Sequence, residues 1–176
     1  MEKTTTENLE IKYVTGDATK PEGKGVKIIV HCNNAQGAWG AGFVLALSKR
    51  WRAPERQYVA SIRNGSLKLG EVQLVKVEKD IIVANLVGQN LYPSGPDRIP
   101  LIYAALEKGL EQLAGLITKE DTTVHMPRIG AGLAGGSWER IEKIIIQTLV
   151  TKEFNVTVYD LPINYNSPGK SLHFKK

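Results

Sequence analysis

Val26-Lys27-Ile28-Ile29-Val30-His31-Cys32-Asn33-Asn34-Ala35-Gln36-Gly37-Ala38-Trp39-Gly40-Ala41-Gly42 passes from an apolar, β-branched run straight into a glycine-rich loop. The apolar run reads as a strand buried on both faces. The loop opens an amphipathic helix. Glycine there lets the backbone take positive φ and lets a ligand approach the main chain. A loop at a helix start also aims unpaired N–H groups and the positive end of the helix dipole at an anion. The chain makes this arrangement twice. Thr122 to Met126 reads as a second short strand, and it leads into Arg128-Ile129-Gly130-Ala131-Gly132-Leu133-Ala134-Gly135-Gly136. Two such cradles imply a ligand with more than one anionic or polar part.

Outward from these loops, Leu9, Ile11 and Tyr13 alternate with Glu10 and Lys12 at the strand period. After the first loop, helices are expected over about residues 42–52 and 54–64, with Pro54 at a natural start. Gly70–Val77 and Ile81–Leu86 read as two strands joined by the polar turn Glu78-Lys79-Asp80. The apolar phase slips between Leu74 and Val75, which predicts a bulge there. Tyr92-Pro93-Ser94-Gly95-Pro96 reads as a loop. Ile99, Ile102, Leu106, Leu110 and Leu113 follow at helical spacing. Ser137 is the expected N-cap of a helix whose apolar face is Trp138, Ile141, Ile145 and Leu149. Phe154–Tyr159 is the last expected strand. Alternating strands and helices predict an α/β fold whose sheet carries helices on both faces.

Composition bounds the rest. The chain has 176 residues, of which 42% are apolar, enough for one domain that buries roughly 70% of its unfolded surface. Cys32 is its only cysteine, so an intrachain disulfide and a cysteine-rich metal site are excluded. No other metal constellation is visible, and no cofactor is expected. The start of the chain lacks a signal-peptide core, and no apolar stretch approaches the ~20 residues of a membrane helix. A cytoplasmic protein without a membrane partner is expected. The net charge is +5 and favours anionic ligands. The basic residues are scattered, with the nearest approach to a cluster at Lys170, Lys175 and Lys176, so no specific nucleic-acid face is expected.

Gly130-Ala131-Gly132-Leu133-Ala134-Gly135 also matches the dinucleotide fingerprint G-x-G-x-x-G, with Asp160 near where a ribose-binding acid belongs. A nicotinamide-dependent oxidoreductase is therefore a remote alternative. Topology weighs against it, because such a fold needs further βα units after that acid and only a short tail follows Asp160.

The order of the pieces resembles a different family, the macro domains, which bind ADP-ribose. Val14-Thr15-Gly16-Asp17-Ala18 resembles the family's "GD(I/A)" element. Ile28 to Asn34 resembles the strand ending in "VNAAN". Gly37 to Gly42 stands where the first phosphate loop belongs. His125-Met126-Pro127-Arg128-Ile129-Gly130-Ala131-Gly132-Leu133 resembles the second phosphate loop, and Val158-Tyr159-Asp160-Leu161 the closing strand. His31 and the run from Met126 to Trp138 resemble the subgroup that holds the ADP-ribose 1''-phosphate phosphatases and the terminal ADP-ribose protein glycohydrolase. The resemblance implies a three-layer α/β/α domain over residues 8–162, with a mixed sheet of about six strands and a tail over 163–176. It implies ADP-ribose or ADP-ribose 1''-phosphate as ligand, phosphatase activity or binding alone, and a monomer.

The same resemblance assigns residue roles. Asp17 is given the adenine amino group, which suits a carboxylate acceptor; it also reads as a turn-forming Asp. The diphosphate is expected between Gly37, Ala38, Trp39, Gly40 and Gly42 on one side and Ile129, Gly130, Ala131, Gly132 and Leu133 on the other, with Ala18 nearby. Asn34 is given the distal ribose, or it satisfies the turn's own backbone. Trp39 reads either as a cover over that ribose or as a loop anchor. Tyr159 and Leu161 flank the adenine, or Tyr159 is a strand-end core aromatic. His31 and Asn34 are the expected catalytic pair, with His31 at the mouth of the site as acid/base or as a partner of the terminal phosphate; His31 also reads as a strand-end histidine with both nitrogens bonded to protein. His125 reads as structural, and Arg128 as a phosphate partner or a salt bridge. The pattern departs from the glycohydrolases at Gln89, where the subgroup has its lysine, and at Ala134, where it has its acid. Phe43-Val44-Leu45 lacks the acid of other macro groups, so protein de-ADP-ribosylation by either route is not expected.

Overall fold

The computed structural model describes residues 10–94 and 98–162. Leu9, the Gly95-Pro96 end of the central loop, and the expected tail with its lysines lie outside the described residues. The strands are β1 (Lys12–Thr15), β2 (Val26–Asn34), β3 (Val72–Glu78), β4 (Ile81–Ser94), β5 (Ile99–Leu101), β6 (Thr122–Met126) and β7 (Asn155–Asp160). The helices are α1 (Phe43–Arg50), α2 (Ala53–Arg63), α3 (Tyr103–Leu116) and α4 (Trp138–Thr148). The sheet runs β1-β7-β6-β2-β4-β3, with short β5 against β4. Neighbours are parallel from β1 to β4, whereas β3 and β5 pair antiparallel to β4. The expected three-layer mixed sheet is what the chain forms. Among the described residues, no helix is long and apolar enough to cross a membrane.

Strand alternation builds both layers. Ile28 and Val30 of β2 join Leu86, Met126 and Val158 in a core with Leu106, Leu110, Ile141 and Ile145 of α3 and α4. Ile29, one residue out of phase, packs with Val83 and Leu47 on the α1 side. Tyr58, Leu67 and Val87 extend that side under α2. His31 shares the phase of Ile29 and so points toward α1 and α2.

Four local expectations are corrected. The third helix starts at Tyr103, not near Ile99: Ile99–Leu101 pairs with β4 instead. Pro100 biases Ile99 toward extended backbone, and the Ile102 N–H donates to the Gly88 carbonyl at 2.9 Å. The β3 irregularity lies between Lys76 and Glu78, beside the turn, not at Leu74. The phase slip there reflects a strand covered on both faces, with Leu74 in the α3/α4 core and Val77 in the α1 core. Ser137 occupies the N-cap position of α4, but its side chain makes no cap bond. Strands β2 and β4 run on to Asn34 and Ser94, past the ends that the apolar runs mark.

Gly109 lets α3 approach the sheet. A Cβ there would lie 2.6 Å from Cγ of fully buried Leu86. Alanine is the better helix former by about 1 kcal/mol, whereas overpacking a tight core costs about 1–3 kcal/mol. Packing outweighs propensity, so Gly109→Ala is expected to lower the urea midpoint; a midpoint at or above wild type would refute the close fit.

Candidate functional site

The C-terminal ends of β1, β7, β6, β2 and β4 meet along one edge, where open α/β sheets hold ligands. Over β1 and β7 lies an apolar pocket of about 330 Å³ lined by Asp17, Ala18, Phe43, Ala46, Tyr159 and Leu161, among others. Asp17 Oδ1 accepts from the N–H and the hydroxyl of Thr19, both at 2.8 Å. Oδ2 has no bond among the described residues. Asp17 therefore turns the chain as expected and keeps its second carboxylate oxygen without a partner among the described residues. Tyr159 is likewise both a wall and a core aromatic: it lines the pocket while its hydroxyl bonds His125 Nδ1 at 2.7 Å. Leu161 stands 73% exposed at the rim.

This pocket continues through Gly42, Phe43 and Pro127 into a cleft of about 260 Å³ between the two glycine loops. Ala41, Gly42, Phe43 and Val44 form one wall, and Ile129, Gly130, Gly132, Leu133 and Ala134 the other. Gly42, at φ 82° and ψ −145°, takes a backbone closed to other residues, and it starts α1 without a side-chain cap. Among the described residues, the N–H groups of Ala41, Gly42 and Phe43 have no protein partner, nor do those of Gly130, Gly132, Leu133 and Ala134. Both walls are thus edged with free donors, as an oxyanion requires.

Several assignments are corrected. Asn34 is 7% exposed, and its amide is taken up by its own loop. Oδ1 accepts from the N–H groups of Gln36 (3.0 Å) and Ala38 (3.1 Å), and Nδ2 donates to the Ala38 carbonyl at 2.8 Å. It builds the loop: its oxygen, which also takes the Tyr58 hydroxyl at 2.9 Å, is fully occupied, and of the amide only the second Nδ2 N–H has no protein partner among the described residues. The Gly37 N–H is drawn to the Tyr58 hydroxyl, and the Ala131 N–H to the Arg128 carbonyl at 3.3 Å. Gly37, Ala38, Gly40 and Ala131 do not line the cleft. Trp39 is the anchor and not the cover: its indole N–H donates to Ser48 Oγ at 2.8 Å, and its ring meets Tyr58 and, edge-on, His31. His31 lines the cleft but is not at its mouth. It is 2% exposed, beneath Trp39 and Phe43. Burial pulls its pKa down to about 4, against a smaller upward pull from Asn85, so at neutral pH it has no proton to give as imidazolium. One nitrogen is bonded and the other is not, so neither expectation for it is complete.

Arg128 takes the structural alternative. It grips Asp160 through two bonds, at 2.6 and 2.9 Å, with its guanidinium over the rings of Tyr13 and Trp138. Each partner stabilises the other's charged form, so Arg128 is raised and Asp160 lowered. The acid that a dinucleotide reading needs free is therefore occupied. His125 is structural as expected, held between Thr123 and Tyr159. Gln89 does line the cleft and Ala134 sits in its wall, so the two departures fall at the site itself. Sequence reasoning missed Phe43 and Pro127, which line both the pocket and the cleft where the two join. Phe43 lies off the buried Val44/Leu47 face of α1, a displacement that a helical wheel would reveal.

No family model matches the chain. The mouse "Chromodomain-helicase-DNA-binding protein 1-like" is 31% identical over 169 residues, which cover 89% of this chain and 18% of that protein. The chain thus spans less than a fifth of that relative. An "ADP-ribose 1''-phosphate phosphatase" from Lodderomyces elongisporus is 26% identical over 162 residues, covering 86% of this chain and 100% of that one. A solved structure of a macrodomain protein from Streptomyces coelicolor superposes with a TM-score of 0.74 at 45% identity, covering 86% of this chain and 99% of that one.

Burial holds both His31 and His125 at about 4, below the ordinary 6.5. The unfolded chain then binds protons that the folded chain refuses, so stability is full above pH 6.5 and falls as pH drops toward 4. Thermal melts at pH 6.5 and pH 5, above the range where the paired carboxylates titrate, should show this fall, and His31→Gln should flatten it. An unchanged melting point across that interval would contradict the burial of these imidazoles.

Proposed function

Because the chain belongs to the macrodomain family, we propose that its cleft binds ADP-ribose and removes the phosphate of ADP-ribose 1''-phosphate. The observation that carries this is the double row of unpartnered N–H groups, continuous with an apolar pocket that ends on a free carboxylate oxygen. The adenine fits the pocket with its amino group toward Asp17 Oδ2. The diphosphate fits between the walls. A hydrogen bond to a charged group contributes about 1.5–3 kcal/mol, so a few of them account for the ~8 kcal/mol of micromolar binding without any Lys or Arg. In the hydrolytic step water adds to phosphorus and the bond to the 1'' oxygen breaks. One water proton ends on the released sugar hydroxyl. Preorganised N–H donors stabilise the charge on the phosphoryl oxygens.

Binding without turnover is the second reading, and one observation favours it. Among the residues lining the cleft, His31 is neutral and Arg128 is paired, so neither offers an acidic proton, and a ring held near 4 is only a weak base. Glycohydrolysis through a lysine or an acid is not proposed, given Gln89 and Ala134. The proposal takes the domain as residues 8–162 with 163–176 as a tail, acting as a cytoplasmic monomer on the nucleotide, without a membrane or nucleic-acid partner.

Phosphate release from ADP-ribose 1''-phosphate decides between the readings, and calorimetric silence toward ADP-ribose ends both. Asp17→Asn keeps an Oδ1 for Thr19 but loses the charged acceptor, and about a tenfold loss of affinity is expected. At Gly132 a Cβ meets no atom within 4 Å. Gly132→Glu should therefore fold normally and, by charge repulsion, lose more than about tenfold in ADP-ribose affinity; undiminished binding would remove the diphosphate from this cleft.

A further inference from the structure

We propose that Asn85 is a positioning residue: it locks His31 in the tautomer whose bare Nδ1 accepts a hydrogen bond from a hydroxyl at the sugar end of the ligand. The inference rests on the ADP-ribose reading and extends it to two residues of the cleft floor. Strand order sets the place. The adenine pocket lies over β1 and β7, the second loop follows β6 and the first follows β2. A ligand laid along that order brings its far sugar over β2 and β4, where His31 and Gln89 line the cleft.

The tautomer follows from the hydrogen bonds. Asn85, fully buried on β4, donates through Nδ2 to the Pro54 carbonyl at 3.0 Å and to Gln73 Oε1 at 3.2 Å. The Pro54 carbonyl can only accept, so the amide has one orientation and its Oδ1 is an acceptor. That oxygen lies 2.6 Å from His31 Nε2, so Nε2 carries the proton of the neutral ring. Nδ1 is left with its lone pair, buried and without a partner among the described residues. Burial keeps the ring neutral, which preserves that lone pair at physiological pH.

A second atom makes the same demand. Asn33, 3% exposed and two residues on, shares the face of β2 with His31. Its Oδ1 is also buried without a partner. Buried acceptors are ordinarily satisfied. Two on one strand end call for a donor, and of the two residues His31 lines the cleft. A sugar hydroxyl is a donor, whereas a phosphate oxygen is not.

Long-range proton–nitrogen NMR spectra of protein labelled with ¹⁵N-histidine test this, with His31 assigned by the signal lost in His31→Gln. The free protein should show His31 with its proton on Nε2 and a bare Nδ1. Saturating ADP-ribose should move the Nδ1 resonance, whereas ADP, which lacks the second sugar, should leave it in place. Asn85→Asp should put a second proton on Nδ1 and lower ADP-ribose affinity about tenfold while leaving ADP affinity unchanged. Should that variant not fold, the wild-type spectra still decide. A proton on Nδ1 in the free protein overturns the inference. So does an Nδ1 signal that stays still while calorimetry shows ADP-ribose bound, or one that ADP moves equally; either result leaves the proposed function standing. Absence of any calorimetric ADP-ribose binding overturns the proposed function and the sugar contact together.

Discussion

Strand β2 is held between β6 and β4 and buried on both faces, and every part of the site takes its place from that constraint. Its alternate residues feed two different cores, so its register has no freedom to slip by one residue. A slip would turn Ile28 and Val30 away from α3 and α4 and drive His31 into that apolar layer. With the register fixed, the strand delivers His31 to the lining of the cleft, Asn33 to a buried place beside it and Asn34 to the root of the first loop. The parallel partner β6 ends alongside and releases the second loop at the same level.

The first loop is rigid for a reason internal to it. Asn34 holds the Gln36 and Ala38 N–H groups and the Ala38 carbonyl, and the Tyr58 hydroxyl donates to its backbone carbonyl. Trp39 pins the next turn on Ser48 and Tyr58. These bonds divide the loop in two. The N–H groups from Ala35 to Ala38 are taken up by protein, and those of Ala41, Gly42 and Phe43 have no partner among the described residues. The ligand is therefore met by backbone whose position is already set, so little conformational entropy is lost when it binds. Arg128 does the corresponding work for the second loop by fastening its start to the end of β7.

Much of this was legible in the sequence. The two strand–loop–helix units, their order and the Asp17 corner can be read because each depends on local chemistry: β-branched runs, glycines and a short acceptor after a strand. The division of labour within the loops was not. Whether Asn34 faces a ribose or its own backbone depends on where the Ala38 carbonyl and Tyr58 sit, and Tyr58 comes from a different helix. The burial of His31 was equally hidden, because it comes from Trp39 folding back over it. Pro100 shows the converse case. The helical spacing of the apolar residues pointed to a helix from Ile99, yet a single proline, visible in the sequence, was enough to keep the chain extended for three residues.

The distribution of donors and acceptors argues for what the cleft discriminates. Its walls offer N–H groups whose partial positive charge comes from the backbone and does not titrate, so their grip on phosphate is insensitive to pH across the physiological range. Its floor offers a lone pair, on His31 Nδ1, that repels phosphate oxygens and welcomes hydroxyls. The carboxylate of Asp17 closes the far end as an acceptor for an amino group. A ligand that satisfies the whole edge must present a donor, then anionic oxygens, then donors again. ADP-ribose has that sequence of groups from adenine to distal sugar. Inorganic polyphosphate has no donor at either end, and a simple nucleoside diphosphate leaves the floor unsatisfied. Because unpaired buried polar groups penalise a mismatch more than a good contact rewards a match, the floor acts chiefly to exclude.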